Sequence, residues 1–374
     1  MKVLEYNVDD IGYGGVFALI KNVIYERPAK CCIDIAAVEK FERQQNITEL
    51  KSLGCQVFYI GRVGSKVVKQ FAIARNLYSL LRQQNYDCVH IHGDVANKLF
   101  IAALISRLCR THKIILHSHA SGVDGNNRAL KKIFHYTTRW ILKYLGTDFV
   151  ACSGLAAEWM YPNISKNQIR IIRNGININA FRFCESKRNS KRKALGINDN
   201  TLVIGHVGRF AYQKNHNFLI KTFEAIYIQQ PNSILLLLGE GPLEEGTKAL
   251  VEKLGLEKNV KFCGTTNDIS GYLMAMDIFL LPSFFEGLPI AGVEAQTSGL
   301  MCIFSDKITR ESQILQTTHF LPICAGSESK WAKECIAYST KMAVENRDAG
   351  FSCAESFGFS IKSTVSCLLQ IYSY

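Results

Sequence analysis

The chain has 374 residues, of which 48% are hydrophobic and 20% charged, and its formal net charge is +12 at pH 7. This composition is typical of a globular protein, and the length favours two domains over one. The N-terminus leads directly into a strand-like segment, and no uncharged apolar run approaches the roughly 18 residues of a membrane span. We therefore expect neither a signal peptide nor a spanning helix. The 13 cysteines follow no disulfide or zinc spacing, which favours reduced thiols in a cytosolic protein.

The positive charge is concentrated in one stretch of the chain. Residues 51–143 contain 15 Lys and Arg against 3 acidic residues, whereas residues 185–374 contain 19 of each kind. Scattered solvated side chains would explain such an excess. The alternatives are an anionic acceptor or an anionic membrane surface, near which each basic residue gains about 1 kcal/mol. No motif of a nucleic-acid-binding module accompanies the charge, so nucleic acid is not expected as a partner.

In the first half of the chain, short apolar runs alternate with amphipathic stretches. The predicted strands are Val3–Val8, Cys31–Ala37, Gln56–Ile60, Cys88–Ile91, Ile114–His117 and Phe149–Cys152. The predicted helices between them are Val16–Tyr25, Phe41–Leu53, Val67–Leu81, Ala96–Leu108 and Leu130–Leu145. This alternation predicts a doubly wound parallel sheet.

The second half repeats the pattern after a turn signal at Arg173–Gly175. A polar basic stretch, Glu185 to Lys193, is interpreted as the connection between domains. The strands expected beyond it are Leu202–Val207, Ile234–Leu238, Val260–Phe262, Ile278–Leu281 and Met301–Phe304. Apolar residues at helical intervals predict a last helix over Phe357–Tyr372.

We therefore predict an α/β protein with two Rossmann-like, doubly wound domains that face each other across a cleft. The N-terminal domain covers residues 1–182, the C-terminal domain covers 183–356, and residues 357–374 form a terminal helix. In such folds ligands bind at the carboxyl ends of the strands.

Two N-terminal motifs lie at such strand ends. Gly12-Tyr13-Gly14-Gly15 follows the first strand, where glycines let a phosphate approach a helix N-terminus. The dinucleotide fingerprint lacks its third glycine, so NAD is not expected. His117-Ser118-His119 closes another strand and places His117 and His119 on one face. Two interpretations of His119 are equally favoured: a structural histidine that hydrogen-bonds to neighbouring groups, and a functional histidine that contacts a ligand.

Two C-terminal motifs carry charge at strand ends. Arg209 and Lys214 follow the strand that ends before Gly208, where a guanidinium and an ammonium suit a diphosphate whose charge grows as a bond to it breaks. Glu286 and Glu294 flank a Gly/Pro turn, and the amides of Gly287 and Leu288 lie between them. A carboxylate on each side of free amides suits a ligand with hydroxyls at both ends and phosphate between.

Two further loops, Gly239–Pro242 with Gly241 and Gly264–Asp268, end strands before helices and fit the lining of a nucleotide pocket. No D-x-D triplet occurs, so no bound divalent metal is expected.

Together these segments resemble the retaining glycosyltransferases of family 4, which have the GT-B fold. The resemblance is carried by Gly14-Gly15, His117-Ser118-His119-Ala120-Ser121, Asn174-Gly175-Ile176-Asn177, Val207-Gly208-Arg209, Gln213-Lys214-Asn215-His216, and the E-x7-E motif from Glu286 to Glu294. In detail the sequence is similar to bacterial enzymes of capsular and exopolysaccharide assembly.

The resemblance implies a role for each matched position. It implies that Gly14, Gly15, Gly208 and Gly241 lie at the donor, and that Arg209 and Lys214 bind its diphosphate. It further implies that Glu286 contacts sugar hydroxyls beside Gly287 and Leu288, that Glu294 binds the ribose, and that His119 approaches the transferred sugar.

The resulting expectation is a metal-independent transferase without a cofactor that moves a sugar from a nucleotide sugar, with UDP as the expected nucleotide. The acceptor would be a glycolipid or oligosaccharide precursor, handled by a cytoplasmic protein peripheral to the inner face of a bacterial plasma membrane. Residues 51–143 would contact that surface. Two alternatives stay open: a nucleotide-sugar epimerase of the same architecture, and a non-catalytic sugar-nucleotide-binding subunit of a transferase complex.

Overall fold

The computed structural model describes residues 1–11, 15–339 and 347–373, which divide into two compact units. The N-terminal unit comprises Met1–Gly175 together with the C-terminal segment from Ile361, and the C-terminal unit comprises Ile176–Ser360. The chain passes between units directly after the turn at Arg173–Gly175. The sequence interpretation placed these two boundaries after residues 182 and 356.

The N-terminal unit is built on a parallel sheet whose strand order is β3-β2-β1-β4-β5-β6-β7. Its strands are β1 (Lys2–Tyr6), β2 (Cys32–Ala37), β3 (Val57–Tyr59), β4 (Cys88–Gly93), β5 (Lys113–Ser118), β6 (Asp148–Ala151) and β7 (Ile169–Ile171). Its helices are α1 (Gly15–Glu26), α2 (Gln44–Ser52), α3 (Lys66–Gln83), α4 (Ala96–Leu108), α5 (Arg128–Thr138), α6 (Leu142–Leu145), α7 (Gly154–Met160) and, at the end of the chain, α16 (Ile361–Ser373). The central strands are buried on both faces, as expected for a parallel sheet covered by helices.

Helix α16 completes the core of the N-terminal unit. Its apolar residues Val365, Leu368 and Ile371 are buried and belong to the same hydrophobic cluster as residues of α1 and β2. The helix begins at Ile361 and not at Phe357, because Gly358, with φ of 76°, ends the preceding helix in a left-handed conformation.

The C-terminal unit has a second parallel sheet, ordered β10-β9-β8-β11-β12-β13. Its strands are β8 (Leu202–Val207), β9 (Ser233–Leu238), β10 (Val260–Phe262), β11 (Ile278–Leu281), β12 (Met301–Ser305) and β13 (Thr318–Leu321). Its helices are α8 (Ile178–Phe181), α9 (Glu185–Ala194), α10 (His216–Gln229), α11 (Glu244–Lys253), α12 (Ile269–Ala275), α13 (Ile290–Thr297), α14 (Glu328–Ser339) and α15 (Ala349–Ser356). The prediction of two doubly wound α/β units is confirmed.

The basic stretch 185–193 is not a connection, and that interpretation was wrong. It forms α9, which is anchored through its cations: Arg188 Nη2 lies 2.6 Å from Asp277 Oδ1 and Arg192 Nη1 lies 3.3 Å from it. Arg188 Nη1 also donates to the carbonyl of Met276 at 2.9 Å. A buried carboxylate and carbonyl groups hold this helix where apolar contacts would be expected, so hydrophobic periodicity could not reveal it.

The remaining differences from the sequence prediction are small. The predicted helix Leu130–Leu145 is divided into α5 and α6, and α5 ends at two β-branched threonines of low helix propensity. The short edge strands β7 and β13 were not predicted. Within the described parts of the chain, no helix combines the length and apolarity needed to cross a bilayer.

Candidate functional site

In the C-terminal unit, the direction in which strands are added reverses between β8 and β11. The chain proceeds outward from β8 through β9 to β10 and then returns to the other side of β8. Ligands of such sheets bind beyond the carboxyl ends of the two strands at the reversal. The loop after β8 carries Arg209 and Lys214, and the loop after β11 carries Glu286.

An ion pair joins these two loops. Lys214 Nζ lies 2.8 Å from Glu286 Oε1, and the side chains are only 15% and 8% exposed. Gln213 Nε2 donates to Glu286 Oε2 at 2.9 Å and to the carbonyl of Phe285 at 3.0 Å. The segment after β8 therefore holds both carboxylate oxygens of Glu286 and neutralises their charge.

Backbone and ring contacts fix the same segment. Phe284 N donates to the carbonyl of Gln213 at 2.8 Å, and the rings of Tyr212 and Phe284 stack with centroids 4.7 Å apart. Asn215 adopts a left-handed conformation, with φ of 56°, between the short helix Tyr212–Lys214 and the start of α10. The ion pair is thus held in place by its surroundings before any ligand binds.

Two of the predicted site glycines are required by close packing. A Cβ at Gly208 would lie 2.9 Å from His206 Nε2 and 3.0 Å from Lys214 Cε, so glycine makes room for the lysine side chain. A Cβ at Gly241 would lie 2.5 Å from the carbonyl oxygen of Phe210. Both glycines shape the loops around Arg209, and their contact with a donor stays a prediction.

Arg209 is the second cation of this site, and its side chain is exposed. It stands between Gly208 and Phe210, whose backbone N donates to the carbonyl of Glu240 at 3.1 Å. Within residues 1–11, 15–339 and 347–373, its guanidinium makes no ion pair or side-chain hydrogen bond. The site therefore presents one cation bound to a carboxylate and one cation available to a ligand.

Glu294 lies on α13, which begins directly after Pro289, and the buried Gly287 and Leu288 lie in the loop between Glu286 and α13. Its side chain is partly exposed, and its carboxyl group has no hydrogen-bond partner in the described part of the chain. Desolvation by burial raises the pKa of Glu294 to about 8. Glu286 and Glu294 thus differ: the first is held by a lysine, and the second lacks a partner.

The N-terminal unit reverses between β1 and β4, and the predicted residues of this unit lie near that point. Gly15 is the exposed first residue of α1, while Gly14 lies outside the described residues. His119 follows β5, and its backbone N donates to the carbonyl of Gly93 at 3.0 Å. Its ring nitrogen Nε2 is 2.8 Å from His92 Nδ1, and its ring centroid is 4.0 Å from that of His117. Burial lowers the pKa of His119 well below the usual value, so the ring is neutral.

Sequence profiles of two families match this chain, one on each unit. Residues 187–319, which include Lys214 and Glu286, match the family Glycosyl transferases group 1. Residues 48–180, which include His119, match Glycosyltransferase Family 4. The chain is a glycosyltransferase with a family 4 domain and a group 1 domain.

Two relatives of this glycosyltransferase are bacterial proteins with named activities or pathways. The capsular polysaccharide biosynthesis glycosyltransferase CapH of Staphylococcus aureus is 27% identical over 337 residues, which are 87% of this chain and 85% of CapH. The UDP-Gal:alpha-D-GlcNAc-diphosphoundecaprenol alpha-1,3-galactosyltransferase of Escherichia coli is 28% identical over 250 residues, which are 64% of this chain and 63% of that enzyme.

Solved structures identify the fold of the glycosyltransferase as GT-B. HepE of Anabaena, crystallised in complex with UDP and glucose, superposes with a TM-score of 0.78 at 18% identity, covering 100% of this chain and 99% of HepE. The predicted fold class and the predicted enzyme class are both confirmed.

Sequence reasoning missed Gln213 as a site residue of this glycosyltransferase. It was read only as part of the segment around Lys214, although its amide holds the second oxygen of Glu286. Its position directly before Lys214, on the short helix after β8, was the available signal. The two loops it connects are 73 residues apart in the chain, and spacing does not reveal such a contact.

One histidine cluster in the N-terminal unit was not predicted, because the sequence has no zinc-like spacing. His90, His92 and His117 offer ring nitrogens that all lie within 4.8 Å of one another, as ligands of a metal ion would. The rings of His90 and His117 also share a hydrogen bond, with His90 Nε2 3.0 Å from His117 Nδ1. Metal independence of the glycosyltransferase stays a prediction.

The raised pKa of Glu294 predicts a pH dependence of stability. The ordinary pKa of 4.5 applies to the unfolded chain and about 8 to the folded glycosyltransferase, so the folded state binds more protons between these values. The free energy of unfolding therefore falls as pH rises from about 5 to about 8. In Glu294→Gln this part of the fall should disappear, which shifts the difference in melting temperature between pH 5 and pH 8 by on the order of a few degrees. Equal pH slopes in the two proteins would contradict the assignment.

Proposed function

We propose that this glycosyltransferase moves a sugar from a UDP-sugar to a hydroxyl of a lipid-linked precursor in capsule or exopolysaccharide assembly, with retention of configuration and without a metal ion or other cofactor. The observation that carries the proposal is the presence, at the strand reversal of the C-terminal unit, of a carboxylate-bound Lys214 and of an exposed Arg209 without a side-chain partner among the described residues. The galactosyltransferase of Escherichia coli, which by its name uses UDP-Gal and a diphosphoundecaprenol glycolipid, supports this choice of donor and acceptor. HepE, which shares the fold, binds UDP and glucose.

The two cations would act on the leaving group. As the bond between the sugar C1 and the diphosphate oxygen breaks, negative charge grows on the diphosphate, and preorganised cations stabilise that charge most in the transition state. Glu286 fixes Lys214 in advance and offers its oxygens to sugar hydroxyls. The acceptor oxygen bonds to C1 from the side the leaving group departs, and its proton passes to a diphosphate oxygen. No side chain is then needed as a general base.

Glu294 would bind the ribose. Its carboxyl group is buried enough to favour the protonated form, and it lacks a partner among the described residues. Two ribose hydroxyls supply the hydrogen bonds that the site lacks, and bonds donated to a carboxylate favour its ionised form. We expect nucleotide binding to release a proton from this group near pH 7.

We further propose that the enzyme works on the cytoplasmic face of the plasma membrane, held there by α5 and α6. Their outward side is here called the basic apolar face, and its apolar members are all exposed: Leu130, Ile133, Phe134, Trp140, Ile141 and Tyr144. Residues 128–147 include five Lys and Arg and no acidic residue. The opposite side of α5 is anchored by His135, whose ring stacks on Trp159 with centroids 3.9 Å apart.

This arrangement is typical of a helix that lies in a membrane interface. Exposed aromatic and aliphatic side chains enter the boundary of the acyl chains, while the flanking cations contact anionic headgroups. All charges of residues 51–143 belong to the same unit, and their excess of cations adds long-range attraction. A lipid-linked acceptor would be presented to the enzyme at such a surface.

Binding to anionic vesicles should test the basic apolar face. The protein should float with phosphatidylglycerol vesicles at low salt and much less at high salt, because the Debye length shortens from about 30 Å at 0.01 M to about 3 Å at 1 M. Phe134→Glu combined with Trp140→Glu should abolish flotation. Ile228→Glu, which changes an exposed apolar residue of the C-terminal unit, should leave flotation unchanged. Absence of flotation at low salt would contradict this surface.

The function itself is tested by a donor screen. Purified enzyme is incubated with each nucleotide sugar and a pool of lipid-linked acceptors in EDTA, and release of nucleoside diphosphate is scored together with the anomeric configuration of the product. We expect release that depends on both a UDP-sugar and the acceptor, with the donor's configuration retained. Conversion of the nucleotide sugar without acceptor would instead support an epimerase, and binding without turnover would support a non-catalytic subunit.

A further inference from the structure

A layer of buried polar side chains crosses one face of the N-terminal sheet. Glu5 on β1 pairs in register with His90 on β4, and His92 on β4 pairs with His117 on β5, so these side chains share a face. The layer also includes His119 after β5 and Tyr372 from α16. A buried polar layer of this size is costly unless its groups are matched donor to acceptor.

The carboxylate of Glu5 is the centre of the layer. Tyr372 Oη donates to Oε1 at 2.7 Å, and His92 Nε2 lies 2.7 Å from Oε2. His90 Nδ1 lies 3.1 Å from Oε2. Burial alone would raise the pKa of Glu5, but the charge interaction and hydrogen bonds with His90 and His92 outweigh burial and hold the pKa well below its usual value. Glu5 is therefore an ionised acceptor that needs N–H and O–H donors around it.

This acceptor fixes the proton positions of two histidines in turn. Burial lowers the pKa of His92 to about 4, so the ring is neutral and carries one N–H. That proton lies on Nε2, because Nε2 faces the carboxylate, and Nδ1 is left as an acceptor. His119 Nε2, 2.8 Å from His92 Nδ1, must therefore be the donor. The neutral His119 then carries its proton on Nε2 and a bare lone pair on Nδ1.

The lone pair on His119 Nδ1 accepts no hydrogen bond from the described residues of the free protein. This atom is buried and has no hydrogen-bond partner among the described residues. A buried acceptor without a donor is unfavourable, and a ligand hydroxyl would satisfy it. An acceptor at this atom can orient a hydroxyl, whereas a protonated Nδ1 would repel its proton.

We propose that Glu5 and His92 are positioning residues, which hold His119 in the Nε2–H tautomer so that its Nδ1 accepts a hydrogen bond from a hydroxyl of the transferred sugar. The hydroxyl contact rests on the proposed function, whereas the tautomer does not. Tyr372 links the layer to the C-terminal helix, because its hydroxyl occupies the other oxygen of Glu5.

A bound metal ion is the competing use of the same rings. Coordination by His90, His92 and His117 would either take the lone pair of His92 Nδ1, which removes the acceptor of His119 Nε2, or occupy His92 Nε2, which moves the proton to Nδ1 and reverses the hydrogen bond to His119. A metal-loaded cluster and the proposed tautomer therefore exclude each other.

Proton positions on histidine nitrogens can be read directly by long-range proton–nitrogen NMR of the full chain with labelled histidine. The His119 signals, assigned by comparison with His119→Asn, should show protonated Nε2 and bare Nδ1 in the wild type at neutral pH. In Glu5→Gln, His119 should populate both tautomers or mainly the one with the proton on Nδ1. Tyr372→Phe, which removes a buried hydroxyl that contacts the other Glu5 oxygen and His90 Nδ1 but not His92, is the matched control and should keep the tautomer. A protonated Nδ1 in the wild type, or stoichiometric metal in the purified protein, would overturn the proposal.

A second measurement separates the positioning of His119 by Glu5 and His92 from the proposed function. Adding the nucleotide sugar found in the donor screen should shift the His119 Nδ1 resonance, and adding UDP alone should not. In Glu5→Gln, KM for the donor should rise roughly tenfold, while the affinity for UDP is unchanged. If the tautomer is as proposed but Nδ1 does not respond to the donor, the sugar contact is wrong. If no donor supports transfer, the proposed function fails. The tautomer measured in the free enzyme still tests whether Glu5 and His92 position His119.

Discussion

Lys214→Ala should lower kcat by about two to three orders of magnitude, the loss seen when one preorganised group that stabilises developing negative charge is removed. The same variant should be less stable by about 3 kcal/mol, because the mostly buried Glu286 loses its counter-ion. Steady-state kinetics and thermal unfolding measure the two effects. Lys221→Ala, which removes an exposed cation from the following helix α10, should change neither.

The double variant Lys214→Ala with Glu286→Gln separates catalysis from folding. Glutamine removes the unpaired negative charge, so most of the lost stability should return, while turnover should stay low because the cation is still missing. Full activity in Lys214→Ala, or recovery of activity together with stability in the double variant, would show that Lys214 serves only the packing of these loops.

Arg209→Ala should lower kcat/KM by about one to two orders of magnitude, which corresponds to one charged hydrogen bond of roughly 1.5–3 kcal/mol. Its melting temperature should equal that of the wild type, because the guanidinium is exposed and has no side-chain partner in the described residues. Arg209→Lys should restore only part of the activity, since an ammonium cannot form the two parallel bonds of a guanidinium.

The control for Arg209 is Lys253→Ala, which removes another exposed cation of the C-terminal unit and should be without effect. Because the surface charge of the unit changes equally in both variants, a loss confined to Arg209→Ala must come from its position. An unchanged kcat/KM in Arg209→Ala would remove this residue from the site.

The fold could be predicted from sequence wherever burial is apolar. Strand β11 is a continuous hydrophobic run and β8 is mostly apolar, and the observed bounds of both match those predicted. β7 has an arginine at its centre and β13 a histidine, and neither edge strand has the apolar signature of a buried one. Helix α9 was missed for a related reason, because a buried carboxylate holds it through arginines.

The candidate site was only partly predictable for a different reason. Lys214 and Glu286 could be named from their motifs, but their ion pair joins positions 72 residues apart and depends on the neighbouring places of β8 and β11 in the sheet. Glu5 gave no signal at all, because a single acidic residue in a strand is ordinarily solvated. Its function in the buried layer arises only when β1, β4 and α16 come together.

The central claim is that Arg209 and the Glu286-bound Lys214 stabilise a departing nucleoside diphosphate without a metal ion. It is tested most directly by the initial rate of labelled sugar transfer from a UDP-sugar to a lipid-linked acceptor in EDTA, measured for the wild type and for Arg209→Ala side by side. The account predicts undiminished transfer by the wild type in EDTA and at least about a tenfold lower rate for the variant. Transfer that stops in EDTA and returns with a divalent cation, or equal rates for the two proteins, would contradict it.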